Sequence, residues 1–270
     1  MDPQPAFSAD LYRGTAPFYD RYRREYPAAL FDDLCERLRL SGTGRLLDLA
    51  CGTGQVALPL AGRFADVVAV DQEAESVAFG RAKAEAGGYD TIQWITGAAE
   101  TVELVSGFEL VAVGTAFHRL NRPVVAARMF SWLRPGGAVA LLWSETPPQG
   151  DAPWQRALTQ LASAWMARRG TTERVPPGWD EAMRRDPHEA VLASAGFEYL
   201  GKFEFVREER WTAETLTGFM YSTSILSRHV LGDHAEEFER DIASLVDSYA
   251  SGGAVVADAG YAYQLAKKPG

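Results

Sequence analysis

Residues 46–54 read LLDLACGTG, and a little further on residues 67–71 read VVAVD. An apolar run of about five residues ending in a glycine turn predicts a buried parallel strand feeding a helix, here over residues 55–63. Gly52 and Gly54 let the backbone approach a ligand: a side chain at either position would fill space the ligand needs, and glycine takes positive φ at little cost. The helix start offers unpaired N–H groups, and Pro59 fits near its first turn, where a missing N–H costs least. Asp71 closes the second strand, where an acid accepts both hydroxyls of a ribose. Two cofactor classes share this geometry, since Gly52, Gly54 and Ala57 also satisfy the dinucleotide pattern G-x-G-x-x-G/A with Asp71 at roughly the expected distance.

The acid inside the first strand separates the two. A carboxylate at Asp48 aimed into the crevice would repel a pyrophosphate but suit a sulfonium-bearing amino acid. With Asp48 the segment resembles the first motif of class I S-adenosylmethionine (SAM) dependent methyltransferases. The resemblance continues, in the family's order, through residues 94–100 (WITGAAE), 108–119 (FELVAVGTAFHR) and 133–142 (LRPGGAVALL). It implies SAM as cofactor, S-adenosylhomocysteine (SAH) as product, and a Rossmann-like seven-stranded sheet. By the motif match Asp48 and the backbone near Ala50 and Gly52 hold the methionine amino group, Asp71 holds the ribose, and Gln72 lies near the adenine; Gly54 and Gly114 complete the crevice. The family usually has Asp where this chain has Ala98, so the adenine amino group loses its usual acceptor, leaving backbone groups around Ala98 and Ala99 to contact the ring.

Composition narrows the function. At 270 residues the chain can form one large core, or one core with a sizeable cap. A hydrophobic content of 47% and a mean hydropathy of -0.17 describe a soluble globular protein. No run of about 18 apolar residues exists, and residues 1–10 have neither a basic region nor an apolar one of leader type, so the expected location is cytoplasmic, with no membrane partner. A net charge of -9 argues against a nucleic-acid backbone as substrate. Cys35 and Cys51, the only two cysteines, exclude a disulfide framework and a Cys-rich zinc site. His188-Glu189 begins like HExxH, but Leu192 stands where the second His belongs, and no G-x-S-x-G elbow occurs. No metal is expected.

Strands are predicted over residues 45–50, 67–71, 91–95, 108–114 and 138–143, with helices over 55–63, 73–86 and 123–133. This alternation predicts a doubly wound α/β sheet with helices on both faces and the ligand at the carboxyl ends of the strands, beside the first strand. Residues 144–186 carry prolines, Trp154, Trp165, Trp179 and paired arginines and read as a helical cap insertion. The core resumes with a helix over 186–195 and a strand over 197–207. A second insertion, 211–250, ends in an amphipathic helix with Phe238, Ile242, Leu245, Val246 and Tyr249 on one face. The last strand, 261–266, has no crossover of its own, which predicts antiparallel entry at the sheet edge; an antiparallel seventh strand is diagnostic in the family. The whole chain, 1–270, thus reads as one domain with an N-terminal lid over 1–40. Residues 210–224 also resemble the small-molecule branch that includes trans-aconitate methyltransferases.

The N-terminal segment, rich in Tyr and Arg, reads either as a helix packing aromatics on the core or, by the resemblance, as a lid in which Tyr19 or Tyr22 covers the methionine end and Arg23 pairs with its carboxylate. Methyl transfer is an in-line displacement that needs mainly alignment and exclusion of water. His118, after the fourth strand at the crevice rim, can act as general base or only position substrate. Phe117 and Arg119 flank it on the substrate side, and Arg119 stands where the family often has Trp, which suits an anionic or polar substrate or a salt bridge. Trp165, Trp211, Phe219 and Tyr221 either form the cap core or line the substrate pocket. His188, His229 and His234 lie among polar residues and are expected at the surface. The expected function is methyl transfer to an oxygen, or secondarily a nitrogen, of a small metabolite. A SAM-binding protein catalysing another reaction, such as a cyclisation, and a SAM sensor remain as rivals. A nicotinamide oxidoreductase is disfavoured by Asp48.

Overall fold

The structure is a computed structural model and describes residues 12–270. Seven strands, β1 (Arg45–Leu49), β2 (Asp66–Asp71), β3 (Ile92–Thr96), β4 (Phe108–Gly114), β5 (Leu133–Ser144), β6 (Glu198–Trp211) and β7 (Val255–Lys267), form one sheet in the order β3-β2-β1-β4-β5-β7-β6. The helices are α1 (Ala16–Tyr22), α2 (Ala28–Leu38), α3 (Ala57–Leu60), α4 (Ala74–Gly87), α5 (Arg122–Trp132), α6 (Pro153–Arg169), α7 (Trp179–Arg185), α8 (His188–Ser194), α9 (Ala213–Tyr221), α10 (Arg228–Leu231) and α11 (Ala235–Tyr249). β1 through β5 are parallel, and the strand order reverses beside β1, which lies between β2 and β4. That reversal opens the crevice at the strand ends where Asp48 and Gly114 stand.

The strands are apolar on both faces because both are covered. One face packs Leu46, Val67, Ala69, Leu110 and Ala140 with Leu30, Leu34 and Leu60 of α2 and α3. The other packs Leu47, Val68, Val111, Val139 and Leu141 with Val125 and Met129 of α5 and Val191 and Leu192 of α8. A third cluster holds the cap together: Trp154, Leu158 and Trp165 of α6, Leu216 and Phe219 of α9, and Phe238, Ile242 and Val246 of α11, with Phe18 of α1 against it.

Three expectations change. β7 does not enter at the edge: it pairs antiparallel with β5 on one side and β6 on the other, leaving β6 as the edge. Its buried run Tyr261, Ala262, Tyr263, Leu265 and Ala266 is that of an interior strand. The lid does not extend to residue 40, because α2 buries Leu30 and Leu34 in the sheet core; residues 1–11 of the expected lid lie outside the described residues. The helix expected over 55–63 is a single turn, α3, followed by a 3-10 turn, with Pro59 inside it. Among the described residues no helix is long and apolar enough to cross a membrane.

Candidate active site

β1 delivers Asp48 to the crevice fully buried. Its Oδ2 accepts the Ala57 N–H at 2.8 Å, so the strand acid caps the start of α3. Its Oδ1 is buried with no hydrogen-bond partner among the described residues. Burial, with the charge of Asp71 adding to it, pushes the Asp48 carboxyl up to about 7. A buried oxygen without a partner is costly, and an arriving ammonium would relieve that cost and return the group to its ionised form.

Asp71, at the end of β2, is held by two backbone donors: Gly52 N–H to Oδ2 and Glu73 N–H to Oδ1, each at 2.8 Å. Both oxygens keep lone pairs for further donors. Burial raises this carboxyl too. The turn between the acids is strained as well as glycine-rich: Ala50 has φ 57°, and across the crevice Thr115, just past β4, has φ 50°. Left-handed non-glycine residues cost of order 1 kcal/mol each and gather at functional sites. A Cβ on Gly52 would stand 3.6 Å from the Tyr19 ring, within the crevice; at Gly54 it would meet Trp94 at 2.8 Å. Gly54 therefore also serves close packing against Trp94 of β3.

α1 crosses this end of the crevice. Its Tyr19 and the following Arg23 and Tyr26 bound a cleft of about 20 Å³ together with Asp48, Ala50, Gly114 and Thr115. Tyr26 Oη and Thr115 Oγ1 are 2.7 Å apart. The Arg23 guanidinium lies over the rings of Tyr19 and Phe219, at 4.8 and 4.6 Å, and donates to Ser222 Oγ at 2.8 Å. On the far side Gln72 is exposed and Ala99 is buried in the sheet core. The loop of Ala98 is tied to β2 by Gly97 N–H to the Asp71 carbonyl at 2.9 Å. An unpartnered buried carboxylate oxygen for an ammonium, an oriented carboxylate for two hydroxyls and a backbone without side chains between them fit SAM.

Tyr19, Arg23, Thr115 and Ser144 also line a second, larger cavity of about 710 Å³ beneath the cap. Its walls combine Phe219, Met220, Met166 and Trp179 with His118, Arg119, Gln149 and Thr223. His118 sits on a 3-10 turn after β4. Its carbonyl accepts Trp179 Nε1–H at 3.0 Å and its ring meets that indole edge-on at 5.9 Å. Burial, followed by the charges of Arg119, His188 and Arg122, lowers the His118 imidazole to about 3, well below the working pH expected of a base. Arg119 lies 5.3 Å from the Tyr12 ring centre.

The aromatic candidates divide. Phe219 lines the large cavity. Trp165 and Tyr221 are buried in the cap core, with Trp165 Nε1–H donating to Asp241 at 2.9 Å and Tyr221 Oη–H to Glu239 at 2.8 Å, so neither is a pocket wall. Trp211 packs on Phe219 and under Arg24 beside a separate small cleft. Phe117 is a core residue packed on His188 at 5.1 Å, though it borders a smaller space beside the large cavity. His188, expected at the surface, lines the large cavity. Its polar sequence neighbours hid it, because the link that turns it inward is Arg122, far away in sequence. Among the described residues no cluster suited to a metal forms.

Comparison with known proteins places this geometry. A family model described as a methyltransferase domain matches residues 46–137, the span from Asp48 through Asp71 to the start of β5. An uncharacterized methyltransferase of Mycobacterium bovis is 31% identical over 52% of this chain and 69% of its own length. The chain belongs to the SAM-dependent methyltransferases. A ubiquinone/menaquinone biosynthesis C-methyltransferase of Rubrivivax gelatinosus is 31% identical over 57% of this methyltransferase, which spans 62% of that relative, under two thirds of its length. In fold, the methyltransferase is similar to an Anaeromyxobacter dehalogenans protein provisionally classed as a type II methyltransferase, with a TM-score of 0.64 at 22% identity over 92% of this chain and 98% of that one.

Proposed function

We infer that the chain transfers a methyl group from SAM to an oxygen, or in second place a nitrogen, of a small-molecule metabolite. The observation that carries this reading is the shared wall: Tyr19, Arg23, Thr115 and Ser144 bound both the cleft at Asp48 and the large cavity, so a donor and an acceptor meet across those residues. When bound, SAM supplies a methyl carbon already activated by the positive sulfur.

The protein's own part is alignment and exclusion of water. Asp48 Oδ1 would receive the ammonium, Asp71 the ribose hydroxyls, and Arg23, just past α1, the methionine carboxylate. Tyr19 and Trp179 close the space from above. A His118 imidazole held neutral is a weak proton acceptor, so its best role is a hydrogen bond that orients the acceptor, with the acceptor arriving ionised or carrying a free lone pair. The segment over residues 210–224, which forms the end of β6 and α9, supports the small-molecule branch that includes trans-aconitate methyltransferases.

The test is SAM and SAH binding with Asp71→Ala. Two charge-assisted hydrogen bonds, each worth about 1.5 to 3 kcal/mol, predict a loss of at least about tenfold for both ligands. Unchanged calorimetric affinity in a folded variant would sink the assignment. Product mass decides between methyl transfer, which adds one CH₂ and releases SAH, and a rearrangement that adds nothing.

A further inference from the structure

Beside the 3-10 turn of His118 an annex of about 250 Å³ adjoins the large cavity. Its floor includes Leu141, Gln264 and Lys202, side by side in register on β5, β7 and β6. Phe117, Trp143 and His188 wall it, and Thr115, His118, Trp143, His188 and Gln264 are common to both spaces. The annex therefore adjoins the acceptor cavity across those side chains. No Asp or Glu is found among its described lining residues.

The His188 tautomer follows from geometry. Its Nδ1 lies 3.3 Å from Nη1 of Arg122, and a guanidinium only donates. Nδ1 is thus the acceptor, and the neutral ring carries its proton on Nε2. Arg122 is fully buried and also donates to the Ala182 carbonyl at 3.2 Å and to that of Asp186, which fixes the arrangement. Burial and the Arg122 charge lower the His188 imidazole to about 4, so the ring stays neutral at ordinary pH. Lys202 brings the annex its cation. Its ion pair with Glu204 is about half-exposed on the lysine side and more so on the glutamate side, and a pair of that kind contributes little and is exchanged cheaply.

We propose that the annex anchors the methyl acceptor by a carboxylate, held by the His188 Nε2–H and the Lys202 ammonium, with the methylated atom at the other end of the molecule, in the large cavity. A carboxylate accepts at both oxygens, whereas a primary amide would turn its own N–H groups toward one of these donors. Phe117, Leu141, Leu142 and Trp143 would hold the carbon chain between the two ends. The inference rests on the methyltransferase reading only in naming the anchored molecule as the acceptor.

Calorimetry on the full chain, with and without SAH, would compare phenylalkanoates of graded length with their primary amides. At least one acid should bind about tenfold or more tightly than its amide, and Lys202→Met and His188→Phe should each remove most of that preference while changing amide binding little. Lys202 is on a half-exposed edge position, so its variant reports even where His188→Phe disturbs packing. The proposal is overturned if no acid of any length binds, if acids and amides bind alike, or if Lys202→Met retains the full preference. SAH affinity in the same samples reads out separately: its absence beside an intact acid preference would sink the methyltransferase reading and leave the subsite standing.

Discussion

His118 shows how burial reassigns a residue whose sequence position suggested a base. A histidine near pH 6.5 in water is poised for proton transfer, but here desolvation and the neighbouring cations hold it down to about 3. Turnover of the wild type with a known acceptor should accordingly show no limb near pH 6.5 that disappears in His118→Gln, and the variant should lose rate through positioning alone. A limb near that pH that vanishes in His118→Gln would restore the general-base role, for which a loss of about 10² to 10⁴ in rate is expected. Asp48 is moved the opposite way by the same burial, which leaves the crevice with a carboxyl ready to ionise beside a cation.

Among elements, α1 governs access. It spans the crevice from α4, through Lys83 Nζ to Asp20 Oδ1 at 3.0 Å, to α9, where Tyr22 lies flat against Gly218. A Cβ on Gly218 would come within 2.3 Å of the Tyr22 ring. Phe18 meets Tyr221 edge-on at 5.2 Å and Arg23 holds Ser222, so α1 is docked on the cap. Tyr19 and Arg23 bound the narrow cleft at Asp48, so α1 is placed to shift as a methionine group enters and to settle over it. Amide exchange across Ala16–Tyr22 should therefore slow when SAH binds, and Gly218→Ala should speed it by forcing Tyr22 off α9, an overpacking cost of about 1 to 3 kcal/mol. Equal exchange with and without SAH would reject the lid.

For the whole molecule, the cap and the sheet are joined through the buried Arg122 and the two neutral histidines beside it, and that junction links stability to pH. A histidine whose folded pKa is depressed binds fewer protons folded than unfolded, so stability falls as pH drops below about 6.5 toward the folded value. For His188 that window runs down to about 4. Wild type should lose stability relative to His188→Phe by up to about 1.4 kcal/mol per pH unit between pH 6 and 5, read from urea midpoints; parallel curves would reject a half-buried, neutral His188.

The strand, glycine turn and strand-end acid at residues 46–71 were legible from sequence because each is a local pattern: an apolar run, a turn requiring positive φ, and a carboxylate at a fixed distance. The alternation of strands and helices determined the parallel half of the sheet for the same reason. Pairings distant in sequence were not legible. β7 lies inside the sheet because Trp143 pairs with Ala262 and Glu204 with the same residue, and no local period encodes a partner that far away. Trp165 and Tyr221 share with Phe219 the spacing of cap residues, and only helix packing decided that the first two face the cap core and the third the cavity. His188 looked like a surface residue beside Asp186 and Glu189 until Arg122, from the start of α5, reached its ring; tertiary structure alone sets that contact, since a side chain's environment depends on whatever the fold packs against it.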